Sequence, residues 1–315
     1  MLINLLLLVL GFITLIKGAD FFVTGSCGIA DFFKISKMLI GLTIVSFGTS
    51  APEFAVSVKS LLSNAGDIVL GNVIGSNITN ILLILGISSL VHTLTVKNNT
   101  VKKELPITML ITTLFGVLLS DNLFDIKTNN SFTRSDGIIL VLFFGVFIYY
   151  LISISRKKTQ DESKNMLSIK KSIIFTGVGL LGIILGSNLV VDSAVIIAKI
   201  IGISERLISL TIIALGTSLP ELVTSITATK KGEYDIAIGN VVGSNIFNIG
   251  AVLGIPVALF GGIGIINFSY IDLLIMITSA IILFMFSFND YRISRKEGII
   301  FLVLFLVYYS YVLLS

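Results

Sequence analysis

Cysteine and histidine are almost absent from this 315-residue chain, which has one of each, Cys27 and His92. A lone cysteine excludes an intrachain disulfide and a cysteine metal cage. A lone histidine with no Cys or second His to work with is read as a residue at a membrane-end turn. Charge is scarce too: 13% of residues are Asp, Glu, Lys or Arg against 55% hydrophobic ones, and the mean hydropathy is +1.02. That balance is too apolar for a soluble domain and predicts an integral membrane protein embedded in a lipid bilayer. Polar stretches able to bury a core of their own are missing, since the longest, 120–137 and 155–171, are short. Nucleic-acid binding and soluble enzymology are thereby excluded, and nothing calls for a cofactor or a required protein partner. The amino terminus has no basic n-region and no small-residue cleavage site, so it reads as a first span with no signal peptide.

What is present is a succession of apolar runs. A span takes about 20 apolar residues, and runs punctuated by charge predict ten helices near 2–30, 38–62, 68–91, 105–120, 137–154, 171–198, 206–229, 236–260, 269–287 and 298–314. Alternate connections carry sixteen Lys and Arg, from Lys34 through Arg156 to Lys296, while the others carry only Lys127, Arg134, Lys199 and Arg206. The richer side is expected in the cytoplasm. That orientation puts both termini outside and the connection 155–170 inside, in a multi-pass protein of the cell membrane.

An internal repeat dominates the chain. Residues 43–86 align with 211–254 without gaps at an offset of 168, with 21 of 44 positions identical. GTSAPE, Gly48 to Glu53, recurs as GTSLPE, Gly216 to Glu221. GNVIGSNITN, Gly71 to Asn80, recurs as GNVVGSNIFN, Gly239 to Asn248. Five spans per half is an odd number, so the second half enters the membrane upside down. The expected fold is an all-α polytopic membrane protein made of ten transmembrane helices in two inverted five-helix repeats. Its halves are 1–154 and 171–315, joined by 155–170. Inverted repeats are a transporter architecture with a midplane site where discontinuous helices meet.

Pro52 and Pro220 are expected to break their helices, and Gly-Ser-Asn in the third and eighth spans to form a second break. Carbonyls before the first breaks, near Ser46, Phe47, Ala214 and Leu215, would then face a cavity. Thr49, Glu53 and Ser57 are four apart, as are Asn72, Ser76 and Asn80, so each set follows one helix face. Thr217, Glu221 and Ser225, and Asn240, Ser244 and Asn248, repeat both stripes. Carboxylate, hydroxyl, amide and carbonyl oxygens without thiol or imidazole suit hard cations such as Ca²⁺ and Na⁺. The S-x-x-E spacing also matches a capping box. Ser50 and Ser218 are expected to cap while Glu53 and Glu221 face the cavity. Asn77 and Asn245 serve equally well to bind ions or to join helices by hydrogen bonds, whereas Asn80 and Asn248, in register with the serines, are expected to bind. Only these two glutamates fall outside the pattern in which charges cap spans or sit in loops.

On these doubled motifs the chain resembles the sodium/calcium exchanger family of Ca²⁺:cation antiporters over nearly its whole length. The resemblance implies an antiporter, not an enzyme, that extrudes Ca²⁺ against Na⁺ entry by alternating access. It also implies that Glu53 and Glu221 form a central Ca²⁺ site. Thr49, Ser50, Thr217 and Ser218 would share in Ca²⁺ and Na⁺ coordination, and Ser76, Ser244 and the carbonyls of Ser46 and Ala214 would complete the Na⁺ sites. Spans 1 and 6, with Gly18 and Gly186, would be the moving helices. Potassium-dependent relatives carry Asp at the position of Asn248, mirrored here by Asn80, which weighs against potassium coupling. The large calcium-sensing insert of animal members has no room in 155–170. Proton/Ca²⁺ exchange, a cation channel and an intramembrane enzyme are the competing readings, and ion substitution in a gradient assay separates them.

Overall fold

The first thirty apolar residues form a 32-residue helix, α1 (Leu2–Phe33), long enough to cross a bilayer at a tilt. In the computed structural model, residues 1–63, 65–120, 131–156, 167–203, 212, 214–264 and 270–314 are described. After α1 come α2 (Lys37–Thr49) and α3 (Ala51–Leu62), bent by 46° at Ser50, and then α4 (Gly66–Val91), α5 (Leu105–Leu118) and α6 (Arg134–Ser155). The remaining helices are α7 (Ile169–Ile200), the short α8 (Ala214–Gly216), α9 (Leu219–Lys230), α10 (Tyr234–Phe260), α11 (Tyr270–Asp290) and α12 (Arg295–Leu314). Among the described residues, seven helices are long and apolar enough to span a membrane, and eight if the bent α2–α3 pair counts as one. The expected fourth span, 105–120, corresponds to the 14-residue α5, which the π-helical turn Thr100–Glu104 precedes without a gap. The expected seventh begins at 206, outside the described residues, as do 157–166 of the central connection, Lys127 and Arg206.

Some helix starts are capped by side chains. Thr133 and Asp136 form a reciprocal capping box on α6, Ser294 and Glu297 do the same for α12, and Ser168 caps α7. α4 and α10 occupy the middle, with 72% and 83% of their apolar windows buried, against 22% for α1 and 17% for α12. Their continuity corrects one expectation: both run unbroken through Gly75-Ser76-Asn77 and Gly243-Ser244-Asn245. The irregularity comes later, as π-helical stretches Thr79–Leu85 and Asn248–Leu253. Small and polar residues break a helix when they turn onto their own backbone. Here Asn245 and Ser244 bond to other elements, so the helix survives.

Two-stranded sheets join distant connections. β1 (Leu94–Thr95) pairs antiparallel with β4 (Arg292–Ile293), and β2 (Ser131–Phe132) with β3 (Ile263–Gly264). Ion pairs gather on the β1–β4 side, among them Lys37–Glu233 at 2.7 Å, Lys97–Asp235 at 2.6 Å, Lys231–Asp20 at 2.7 Å and Arg292–Asp290 at 3.0 Å. Lys231 Nζ also donates to the Asp20 carbonyl and to Thr24 Oγ1, tying the end of α9 to α1. His92 sits there as well, its ring stacked on Tyr234 at 5.1 Å between centroids and its Nδ1 2.8 Å from the Tyr234 hydroxyl. The glutamates of the motifs are not alone in the interior. Glu104 is also buried and accepts from the Tyr150 hydroxyl, and Asp272, at the same 168 offset, faces Tyr308.

α1 and α7 pack along their length through small residues, as helices in lipid require for close approach. Gly11 lies against Val190, Gly18 against Gly182 and Ile183, and Gly25 against Thr176, so the two run antiparallel. A Cβ on Gly179 would stand 2.3 Å from the Phe22 nitrogen, whereas one on Gly177 would meet nothing within 4 Å. Gly179→Ala is therefore expected to cost about 1–3 kcal/mol by forcing the helices apart, with Gly177→Ala neutral or slightly stabilising. Thermal unfolding of the two purified variants in detergent checks this, and equal midpoints would refute the packing account.

Candidate functional site

The two GTS-x-PE motifs come together where their helices stop. α2 ends at Thr49, Ser50 adopts φ −82° and ψ 5°, and α3 starts at Ala51 with Pro52 in its first turn. α8 ends at Gly216, Ser218 adopts φ −87° and ψ 3°, and α9 starts at Leu219 with Pro220 in its first turn. Proline has no N–H to give the carbonyl four residues back. For Pro220 that carbonyl is on Gly216, and it accepts instead from Ser187 Oγ of α7 at 3.3 Å. The Ser46 carbonyl is not released by the break, for it accepts from the Ser50 N–H at 3.0 Å and from the Thr49 hydroxyl at 3.3 Å. Ala214 opens α8, and its side chain lies outside the described residues.

Most residues singled out by the motifs are buried. Ser46, Thr49, Ser50, Glu53, Ser76, Asn80, Ser218, Glu221, Ser244 and Asn248 are all at most 3% exposed, and Thr217 is half-buried. Both glutamates sit in the first turn of a helix, where the amino-terminal dipole favours an anion. Ser50 and Ser218 do not cap these helices. Ser50 Oγ donates across the seam to Glu221 Oε1 at 2.9 Å, and Ser218 Oγ lies 3.5 Å from Ser76 Oγ. The buried carboxylate takes the Ser50 proton and turns the hydroxyl across the seam, away from the backbone N–H groups of α3 that a capping oxygen would accept from.

Oxygen without a donor is concentrated here. Ser244 Oγ reaches Glu221 Oε1 at 3.5 Å, but Glu221 Oε2 and both oxygens of Glu53 are buried with no hydrogen-bond partner. So are Asn77 Oδ1, Asn80 Oδ1 and both polar atoms of Asn248. Asn80 donates to Asn245 Oδ1 at 3.0 Å, joining α4 to α10, and Asn77 points at Met276 Sδ. Buried polar atoms are nearly always paired. A cluster of acceptors around two acids has what a desolvated cation needs and little that anything else could use. Among the described residues no group of three or more His, Cys, Asp or Glu offers a transition-metal site.

Reasoning from the stripes placed Asn72 and Asn240 on the same face as the serines, but their amides lie behind the glutamates. Asn72 Nδ2 donates to the Glu53 carbonyl and to Ser57 Oγ, both at 3.2 Å. Asn240 Nδ2 donates to the Glu221 carbonyl at 3.3 Å and Ser225 Oγ at 2.9 Å. The common offset was a sign that they act alike, although helical spacing could not say on what.

Comparison with known proteins agrees with this geometry. The family model described as sodium/calcium exchanger protein matches residues 3–153 and 171–314. The putative antiporter CaxA of Alkalimonas amylolytica is 38% identical over all of both chains. The sodium/calcium exchanger MaX1 of Methanosarcina acetivorans is 30% identical, covering 98% of this chain and 99% of its own. Among solved structures, the sodium-calcium exchanger NCX_Mj soaked with 2.5 mM Na⁺ and 1 mM Sr²⁺ superposes with a TM-score of 0.85 at 32% identity, over 98% of this chain and 97% of that one. With its motifs, its membrane helices and its match across both halves, this chain belongs to the sodium/calcium exchanger protein family.

Proposed function

We propose that the chain exchanges Na⁺ for Ca²⁺ by alternating access and normally extrudes Ca²⁺. The family makes it a cation/Ca²⁺ antiporter of the membrane, not an enzyme. One observation carries the finer reading: two buried carboxylates from opposite motifs, three of their four oxygens without a hydrogen-bond partner, with the Ser50 and Ser244 hydroxyls at Glu221 and unpartnered amide oxygens on α4 and α10. Glu53 and Glu221 hold Ca²⁺ between them. Thr49, Ser50, Thr217 and Ser218 complete its shell. Na⁺ uses the same acids with Ser76, Ser244 and the Ser46 and Ala214 carbonyls, while Asn80 and Asn248 line the cavity with neutral oxygens.

Ten spans fit this reading if α2–α3 and α8–α9 are each one broken span and the π turn at Thr100–Glu104 extends α5. The halves 1–154 and 171–315 then stand inverted, with both termini outside the cell membrane and 155–170 in the cytoplasm. Antiparallel packing of α1 on α7 supports the inversion, because these helices occupy equivalent places in the repeat. They form the element that slides across the seam to expose the site to one side and then the other.

Charge sets the energetics. An empty ionised site carries two negative charges. One Ca²⁺ or two Na⁺ neutralises it, and a third Na⁺ leaves one net positive charge. Three-for-one exchange is electrogenic, and each charge crossing 100 mV is worth about 2.3 kcal/mol.

Proteoliposomes loaded with Na⁺ and diluted into Na⁺-free medium should take up ⁴⁵Ca²⁺, and Glu53→Gln or Glu221→Gln should abolish the uptake. Uptake that needs no Na⁺ gradient and survives both substitutions would end the proposal. A pH gradient without Na⁺ should drive nothing, and omitting K⁺ should leave the rate unchanged. In the same vesicles an inside-positive potential should accelerate Ca²⁺ entry, since three Na⁺ leave for each Ca²⁺. A rate indifferent to potential would refute the stoichiometry.

A further inference from the structure

Asn240 is fully buried on α10 and makes contacts on both sides of the seam. Its amide nitrogen is spent on the second half, donating to the Glu221 carbonyl at 3.3 Å and to Ser225 Oγ at 2.9 Å. Two protons and two acceptors fix which way the amide faces. Its oxygen is then turned to the first half, where it accepts from Thr49 Oγ1 at 3.0 Å. Thr49 thus gives its proton to Asn240, or to the carbonyls of Val45 and Ser46 at 3.0 and 3.3 Å, and keeps its lone pairs for a ligand. One side chain therefore spans from a threonine of the first motif to the backbone of the glutamate of the second. Asn72 repeats the same two donations to Glu53 and Ser57.

We propose that Asn240 is a positioning residue, a strut that holds the Thr49 hydroxyl and Glu221 at a set separation and so sets the size of divalent cation the site prefers. The inference rests on the proposed cation site. Ca²⁺ binds oxygens at about 2.3–2.6 Å in shells that adapt when their ligands can move. A strut that fixes the distance between ligands from opposite halves penalises a larger ion of equal charge, such as Sr²⁺. Without the strut, the shell relaxes and the penalty falls.

The test is Na⁺-driven uptake of ⁴⁵Ca²⁺ and ⁸⁵Sr²⁺ by full-length protein in proteoliposomes, read as half-saturating concentrations. Asn240→Ala should raise the value for Ca²⁺ about tenfold, the range expected for losing a buried hydrogen-bonded group. The value for Sr²⁺ should rise less, so that the Ca²⁺/Sr²⁺ preference shrinks. Ser225→Ala removes only one acceptor behind the site, leaves Glu221 and Thr49 in place, and should move the preference the same way by about threefold at most. It decides the matter if Asn240→Ala does not fold. Equal rises for the two ions, or a change confined to the maximal rate, would overturn the proposal, because a residue that merely holds helices together has no reason to distinguish ions by size. Glu53→Gln and Glu221→Gln keep the two readings apart. If they still exchange, the cation site itself is wrong. If they are inactive while Asn240→Ala keeps the native preference, only the strut fails.

Discussion

Two carboxylates that face no water dominate this molecule. An acid placed at the centre of a bilayer costs about 2.5–3.5 kcal/mol on insertion scales, and here two are brought to one seam with the Ser50 hydroxyl at 2.9 Å and the Ser244 hydroxyl at 3.5 Å from Glu221 for relief. Much of the surrounding architecture makes that burial tolerable. Prolines stop α2 and α8 so that new helices begin at the acids, which places amino-terminal dipoles beneath them. α4 and α10 are almost wholly enclosed and bring hydroxyls and amides to the same place. The remaining deficit is a demand for positive charge, and transport turns that demand into work.

Around this unyielding centre lies a softer contact. α1 and α7 pack closely along their length, with glycines against the facing backbone and Phe21 against Phe175, while the other helices are fastened by two small sheets and by bonds such as Asn80 to Asn245. The helices that carry the acids are themselves joined to this pair: Lys231, just past the end of α9, bonds to Asp20 and Thr24 of α1, and Ser187 of α7 bonds to the Gly216 carbonyl.

How much of this was legible depended on range. The 168 offset, Glu53, Glu221 and the breaks at Pro52 and Pro220 follow from local spelling, since proline acts on its own chain and a repeat announces itself. The roles of Ser50 and Ser218 did not follow, because a capping box and a cross-seam bond are spelled alike and only the distant carboxylate decides between them. Gly-Ser-Asn was read as a break for a similar reason: the bonds that keep α4 and α10 straight come from other helices. Glu104 escaped notice because it adjoins Lys102 and Lys103 and looks like part of a charged connection, yet its partner Tyr150 is 46 residues away. Helical spacing gave Asn72 and Asn240 a face but not a partner.

The tie between Lys231 and Asp20 exists at only one of two equivalent places. The offset that relates the halves carries Asp20 to Asn188 and Lys231 to Ser63, and neither counterpart is charged. A carrier made of two identical halves would divide its time evenly between its two orientations. An ion pair this exposed is worth less than about 1 kcal/mol, enough for a bias of up to about fivefold in occupancy and too little to hold either orientation shut. The pair is thus one of several contacts outside the symmetry of the repeat, and like Lys37–Glu233 and Lys97–Asp235 it lies away from the motif glutamates.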